Sequence, residues 1–346
     1  MERKPMVIIT ILLLLVLAAG KTTFFTVGQS PLELTLATDK SSYTYREKVE
    51  VIGNLSLDGM PSDGFVGIEV NPLNQIFSNF THFLTRTATI GNSDIGTRNI
   101  TVESLTTTDS STPPHSKTTF KIGEKLGVNV TVINNYVDDR TVVIAITASD
   151  NDSTPLASEV AHIRTTILGN GGKVKFYPQF SIPTWASLGS AEIYADVYSD
   201  WPSLGGVPWC SERNATFTIA PATSSFFKSS HEISSENSVM AISEHSYAIS
   251  FRLPPNAPEG NYSVNANAYA KGWVGNDNTT FVKPYQILGD VDFDHRITIL
   301  DIVRVAAVYG SKSGDSDWNP MEDLAPNGKV DIFDIVTITA KYGLKY

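Results

Sequence analysis

The stretch Val128-Asn129-Val130-Thr131-Val132 alternates apolar and polar residues with a period of two. Successive side chains of an extended strand point to opposite faces, so this pattern places one face on a core and the other in water. Similar segments, bounded by Gly, Pro, Asn and Asp, occur at 32–36, 49–52, 66–70 and 141–146. The sequence therefore predicts a mainly β chain built from sandwiches.

The spacing of these segments predicts several domains in series. We expect a first β-sandwich over residues 28–93 and a second over 96–220. Residues 221–285 form either a small third β-unit or an extension of the second sandwich, because about 65 residues make a thin independent core. A partial repeat indicates a duplicated sandwich edge: Phe180, Pro183, Gly189, Ala195 and Tyr198 recur 71 positions later as Phe251, Pro254, Gly260, Ala266 and Tyr269.

Charge and cysteine content exclude several classes of protein. The 346 residues include 36 acidic and 26 basic ones, which gives a net charge of −10. Such a field repels phosphate backbones, so we expect no nucleic-acid partner. The single cysteine, Cys210, excludes an intramolecular disulfide framework and any Cys-rich metal site.

The N-terminus indicates export. Glu2, Arg3 and Lys4 precede an apolar run over 6–19 that ends in small residues, which predicts a secretory signal peptide over residues 1–20. The run is shorter than the about 20 residues that span a bilayer, so an uncleaved membrane anchor is the weaker alternative. Asn-x-Ser/Thr triplets are typical of an exported glycoprotein. Eight of them begin at Asn54, Asn79, Asn99, Asn129, Asn151, Asn214, Asn261 and Asn278. We expect a secreted or cell-surface location, with membrane contact only through the N-terminal segment if it stays uncleaved.

Two acidic segments within residues 286–346 align at a spacing of 33. The first has oxygen side chains at places 1, 3, 5, 9 and 12 of a twelve-residue loop and a backbone carbonyl at place 7: Asp290, Asp292, Asp294, Thr298, Asp301 and, at place 7, Arg296. The second offers Asp323, Asn327, Asp331, Asp334 and the carbonyl of Lys329. Calcium takes six to eight oxygen ligands at this spacing, so we predict two calcium sites. Two departures weaken them: Ala325 brings no oxygen at place 3 of the second loop, and His295 replaces the usual glycine at place 6 of the first.

The duplicated pattern Asp-x-Asp-x-Asp, Asp-Ile-Val and Tyr-Gly resembles the dockerin module, whose two calcium loop-helix units bind cohesin domains. The resemblance implies a small α-helical domain with helices over 302–309 and 335–342. It also implies a cohesin-like partner, although dockerins carry hydroxyl residues at places 10 and 11. This chain has Ile299-Leu300 and Ile332-Phe333 there. Those apolar residues leave a second alternative open, in which the module docks on the chain's own β-domains.

The first unit resembles the immunoglobulin-like or macroglobulin-like modules of prokaryotic exported proteins, with an archaeal source favoured. The resemblance rests on Asp39-Lys40-Ser41-Ser42-Tyr43, the strand over 49–55 and the turn Asp58-Gly59-Met60-Pro61. It implies tandem immunoglobulin-like sandwiches ahead of the dockerin-like domain.

No catalytic motif stands out in the sequence. Its six histidines are single, and nucleophile-elbow and phosphate-binding glycine motifs are absent. We therefore predict a non-catalytic structural or interaction protein of the cell surface. The alternative is a carbohydrate-binding subunit of a polysaccharide-degrading assembly, tethered by its dockerin-like tail, with Trp201 and Trp209 stacking on surface glycans. A secreted hydrolase with an unrecognised site is the third reading.

Overall fold

The computed structural model describes residues 30–44, 47–73, 82–91, 99–222, 245–254, 256–284, 288–292, 294, 296–312, 315, 317–318, 321–325 and 327–345. The predicted signal segment over residues 1–20 and the sequon at Asn79 lie outside these residues. The chain divides into two compact units, Met1–Pro31 and Leu32–Tyr346, and all the elements below belong to the second. Among the residues described, no helix has the length and apolar character needed to cross a membrane.

Strands make up most of the regular structure, as predicted. In chain order they are β1 Leu32–Leu34, β2 Ala37–Thr38, β3 Lys48–Leu57, β4 Met60–Pro61, β5 Gly64–Pro72, β6 Leu84–Ile90, β7 Ile100–Thr108, β8 Thr119–Lys121, β9 Lys125–Asn134, β10 Arg140–Ser149, β11 Ala161–Ile167, β12 Gly172–Phe176, β13 Gln179–Ser181, β14 Gly189–Tyr198, β15 Arg213–Ala220, β16 Ser246–Arg252, β17 Gly260–Ala270 and β18 Trp273–Lys283. Two helices follow, α1 Ile299–Ala307 and α2 Ile332–Thr339.

The first sandwich is assembled from two distant parts of the chain. One sheet has the order β1-β3-β16, and the other has the order β18-β17-β5-β6. Its core joins residues from both parts, such as Val51 and Ile68 from the first and Phe251 and Phe281 from the second. This corrects the assignment of residues 221–285 to a third unit or to the second sandwich. Strands β16, β17 and β18 instead complete the first sandwich, because their apolar faces and those of β3 and β5 bury one another.

The second sandwich lies between β6 and β16 in the sequence, as an insertion into the first. One of its sheets has the order β11-β10-β14-β15-β8, and in the other β9 pairs with β7, β12 and β13. The five alternating residues at 128–132 lie on β9, where Val128, Val130 and Val132 are buried in the core. The mainly β sandwich class predicted from the alternation is thus confirmed.

The two sandwiches share one strand order. In the first, β3 lies between β1 and β16, and β17 lies between β5 and β18; in the second, β9 lies between β7 and β13, and β14 lies between β10 and β15. Both end in a parallel contact, between β15 and β8 in the second sandwich and between Val282 and Ser42 in the first. The inserted sandwich therefore has the topology of its host.

A glutamate closes the same turn in each sandwich. The Glu47 carboxylate accepts a hydrogen bond from the Thr44 amide at 2.9 Å, and the Glu124 carboxylate accepts one from the Lys121 amide at 2.7 Å. Each also pairs with a lysine seven residues earlier, Lys40 for Glu47 and Lys117 for Glu124. A match in both backbone and side-chain contacts supports an origin of the two sandwiches by duplication.

The junction between the sandwiches is polar and buried. Arg86 on β6 donates from Nε and Nη2 to the Glu212 carboxylate at 2.8 and 2.9 Å. The Tyr198 hydroxyl donates to the Arg86 carbonyl at 3.0 Å, and a Cβ added at Gly67 would lie 2.7 Å from the Tyr198 ring. Burial and the nearby Glu212 carboxylate raise the pKa of Asp196 well above its usual value. Because buried polar groups are costly without partners, these contacts fix how the two sandwiches meet.

Candidate metal centre

The first acidic loop gathers three carboxylates at one point. Ligand oxygens of Asp290, Asp292 and Asp294 all lie within 4.8 Å of one another. Asp290 is fully buried, Asp292 is partly buried and Asp294 is exposed, so the group opens from the interior of the loop toward solvent. Three carboxylates this close repel one another unless a cation or protons compensate them. The donor set, all oxygen, fits a hard divalent cation.

Asp301 ties the end of this loop to its beginning. Its Oδ1 accepts from the Val291 amide at 2.9 Å, and its Oδ2 accepts from the Thr298 amide at 2.7 Å. Thr298 is the N-cap of α1, and its hydroxyl oxygen accepts from the Leu300 amide at 3.1 Å. Thr298 and Asp301 together form a capping box, so places 9 and 12 of the loop also start the helix.

The second loop repeats this connectivity at a spacing of 33 residues. Asp334 accepts from the Ala325 amide at 2.7 Å and from the Asp331 amide at 2.6 Å. Buried Asp323 accepts from the backbone amides of Asn327 at 3.1 Å and Gly328 at 2.9 Å. The loop therefore has the same closed form, although it holds fewer carboxylates than the first.

Each loop is also bonded to the chain that follows the other loop's helix. Ile297 donates to the Leu344 carbonyl and accepts from the Gly343 amide, both at 2.8 Å. At the equivalent place, Val330 accepts from the Gly310 amide at 2.8 Å and donates to the Ser311 carbonyl at 3.0 Å. The two copies thus exchange backbone hydrogen bonds reciprocally, and neither loop is positioned without the other.

Backbone groups at places 6 and 7 shape the turn of each loop. Gly328, at place 6 of the second loop, has a φ of 78°, the left-handed conformation that favours glycine. His295, at place 6 of the first loop, lies outside the described residues. The amides of Arg296 and Lys329 donate to Asp294 and Asn327 at 2.9 and 3.0 Å, and these bonds turn the chain at place 7.

Burial and crowding disfavour the ionised form of two aspartates in the loops. Burial, together with the neighbouring carboxylates of Asp301 and Asp294, raises the pKa of Asp292 above its usual value. Burial likewise raises the pKa of Asp334. A bound divalent cation would reverse both effects because it favours the ionised carboxylates.

The helices begin three residues earlier than predicted. They span Ile299–Ala307 and Ile332–Thr339, whereas the sequence interpretation gave 302–309 and 335–342. The reason is that the residue at place 12 of each loop, Asp301 or Asp334, lies at the third helical position and completes the capping box. Places 10 and 11 therefore belong to the first helical turn.

With these helix bounds, an apolar surface lies on the outside of the helical pair, and both helices contribute equivalent residues to it. We call it the helix surface; its residues are Ile299, Leu300, Val303, Ile332, Phe333 and Val336. Each is between 54% and 63% exposed. The inner sides of the helices instead contribute Val305 and Ile338 to a small core with Val291, Ile297, Leu324 and Val330. Both helices therefore expose their part of the helix surface to solvent.

The two tryptophans proposed for glycan stacking are not exposed as that role would require. Trp201 is only 6% exposed and stacks on His82 with 3.5 Å between ring centroids, at the junction of the sandwiches. Trp209 is partly buried and packs against Tyr136 at 5.9 Å. These two rings are therefore structural, and they form no exposed stacking platform.

Cys210 and Asp150 both have structural contacts in the described chain. Cys210 is partly buried against the second core, and no further group of three or more His, Cys, Asp or Glu ligands converges within the described chain besides Asp290, Asp292 and Asp294. Asp150 is buried, and burial raises its pKa to about 7, but its carboxylate accepts amides from Asp152, Thr154 and Ser187. Those bonds give it a role in shaping its loop.

Comparison with known proteins adds no family assignment. No protein-family profile matches the chain, and no curated protein matches it. Among solved structures, the C-terminal domain of wzt is 11% identical, with a TM-score of 0.29 over 38% of this chain and 77% of that one. A β-glucuronidase of glycoside hydrolase family 2 is 10% identical, with a TM-score of 0.26 over 51% of this chain and 24% of that one. A β-glucosidase from Listeria innocua is 13% identical, with a TM-score of 0.23 over 35% of this chain and 15% of that one. Similarity at this level identifies neither a function nor a shared fold for the whole chain.

Proposed function

We propose that this chain is an exported, non-catalytic interaction protein in which two joined sandwiches carry a calcium-stabilised, dockerin-like docking module. The observation that carries the proposal is the helix surface. Six large apolar side chains stand exposed at equivalent places of two loop-helix units. Contiguous exposed apolar surface is unusual on a monomeric protein and is typical of interaction sites.

Calcium is the cation that the loop residues fit best. In the first loop Asp290, Asp292, Asp294, Thr298 and Asp301 would provide side-chain oxygens, with the carbonyl of Arg296. In the second, Asp323, Asn327, Asp331 and Asp334 would do so, with the carbonyl of Lys329. The second site is the weaker one, because Ala325 supplies no oxygen. The ion would neutralise the crowded carboxylates and hold the helix surface in place.

The partner is a folded domain with a matching apolar surface. The dockerin resemblance favours a cohesin-like domain, and the apolar residues at places 10 and 11 favour burial of Leu300 and Phe333 in that interface. Docking on the chain's own β-domains is the weaker alternative, because both residues are exposed in the intact chain, at 58% and 63%. The N-terminal apolar run supports the proposed secreted or cell-surface location.

A capture experiment tests this function. Full-length protein is immobilised and exposed to extracellular proteins of the source cells and to purified cohesin-type domains, in calcium and in EDTA. We expect a partner that binds in calcium and is lost both in EDTA and with the double variant Leu300→Ser/Phe333→Ser. Leu204→Ser, an equally exposed site on the second sandwich, is the matched control and should bind normally. Binding that ignores both calcium and the double variant would refute the proposal.

A further inference from the structure

Side-chain exposure separates the described Asn-x-Ser/Thr triplets into two classes. In a strand, residues i and i+2 lie on the same face, so the asparagine and the hydroxyl residue of a strand triplet share one face of the sheet. In the folded protein, a modifying enzyme has access to both residues only where both are exposed. Seven of the eight triplets lie within the described residues.

Two triplets present both residues to solvent. Asn214 and Thr216 on β15 are exposed, and so are Asn278 and Thr280 on β18. In each of the other five, at least one of the two residues is buried or partly buried; these triplets begin at Asn54, Asn99, Asn129, Asn151 and Asn261. At Asn129 the side-chain oxygen itself is buried, and Thr131 is also buried.

The two exposed triplets occupy equivalent places in the two sandwiches. Each asparagine lies three residues before a buried phenylalanine, Phe217 at 3% and Phe281 at 1% exposure. The residue after that phenylalanine forms the parallel contact of its sandwich, Thr218 with Thr119 and Val282 with Ser42. Neither exposure nor this equivalence follows from the triplet pattern, so two independent criteria select the same pair.

We propose that Asn214 and Asn278 are the N-glycosylation sites of the described chain. The substrate class is a sugar carried on a lipid-linked phosphate or pyrophosphate. The asparagine Nδ2 forms a bond to C1 of the sugar while the bond from C1 to the phosphate oxygen breaks. The amide loses one proton to a base of the transferase, the lipid phosphate leaves, and no oxidation or reduction occurs. The inference rests on the proposed export, because such donors are used outside the cytoplasm.

Peptide mass spectrometry of the full-length protein from its source cells tests the inference. We expect sugar on the peptides that contain Asn214 and Asn278 and bare asparagine at Asn129. Thr216→Ala and Thr280→Ala should each remove one glycan, whereas Thr216→Ser and Thr280→Ser should retain it. Both positions are exposed, so folding is preserved. Thr101→Ala, which destroys the triplet of Asn99, should leave the mass of the attached sugar unchanged.

Bare asparagine at either Asn214 or Asn278 in the wild-type protein would overturn the inference. Protease treatment of intact cells tells this failure apart from failure of the proposed export. Protein that is digested from outside but carries bare sites overturns the glycosylation alone, whereas protein that is protected and bare overturns both.

Discussion

Each sandwich has a core of more than twenty buried apolar residues, whereas the core of the C-terminal helical pair contains only six among the described residues. That pair also buries four carboxylic acids, Asp290, Asp301, Asp323 and Asp334. In the sandwiches, the partly buried carboxylate of Glu212 pairs with the buried guanidinium of Arg86. In the loops, the compensation comes from backbone amides and, by our proposal, from an ion.

The difference shows that the two regions depend on different stabilising terms. Apolar burial contributes roughly 25 cal/mol per Å², and a large sandwich core needs no further support. Helices of nine and eight residues are marginal in isolation, and six buried apolar residues offset little of their ordering entropy. Metal binding would supply the missing free energy of folding. A core-stabilised region and an ion-stabilised one should therefore respond differently to mutation, to acid and to removal of calcium.

The largest effect is expected from truncating a core aromatic of the second sandwich. Phe120 is fully buried and packs edge-to-face on Phe217 with 5.8 Å between centroids. Phe120→Ala should lower the free energy of unfolding of that sandwich by about 3–5 kcal/mol. Because the core binds no ion, urea unfolding should show the same loss in calcium and in EDTA. A loss of unfolding free energy that appears only in EDTA would contradict the proposed difference between the two regions.

Removing the first ligand of each loop should affect the helical pair and leave the sandwiches unchanged. Asp290→Ala deletes one of three converging carboxylates, so calcium affinity at that site should fall by more than about 100-fold. Asp323→Ala should cause a smaller loss, because its loop already lacks an oxygen at Ala325. Calorimetric titration of the full chain measures both. Equal losses from the two variants would contradict the predicted asymmetry.

Lowering the pH should stabilise the sandwiches and weaken calcium binding by the loops. The folded pKa of Asp196 is raised by burial and by Glu212, so the folded sandwiches bind this proton more tightly than the unfolded chain. The stabilisation is present at low pH and is lost as the pH rises from about 4 through the folded pKa. Calcium binding by the loops should instead weaken as the pH falls, because protons compete with calcium for the carboxylates.

Asp196→Asn isolates this effect in the sandwiches. The amide resembles the protonated acid, so the melting temperature should fall less between pH 5 and pH 8 in the variant than in the wild type. Asp138→Asn, at an exposed carboxylate, is the matched control. An unchanged pH dependence in Asp196→Asn would show that this group does not titrate as described.

Local patterns predicted much of this structure because they depend on neighbouring residues. Alternation located β9 and β10, and the spacing of acidic residues located both loops. The loop sequence also contained the helix start, since Thr298 and Asp331 are N-caps with aspartates three residues later. Counting that capping box would have corrected the predicted helix bounds.

Long-range pairing was not predictable from these patterns. Nothing in the alternation of β16 and β17 tells which sheet they join, since their partners β3 and β5 lie about 200 residues away. A signal did exist: Lys40, Tyr43 and Glu47 match Lys117, Phe120 and Glu124 at a spacing of +77. In the later repeat, residues of the first sandwich come 71 positions after their matches in the second sandwich, instead of before them. This reversal of order indicates that one copy is inserted into the other.

Limited proteolysis of the full-length chain, in calcium and in EDTA, tests the central claim most directly. Fragments are identified by mass, and bound calcium is measured in both samples. We expect EDTA to expose residues 288–345 to rapid cleavage while the strands of the sandwiches, which lie between residues 32 and 283, stay as resistant as they are in calcium. If calcium is shown to be removed and the cleavage rate of 288–345 is unchanged, the account of an ion-stabilised module is contradicted.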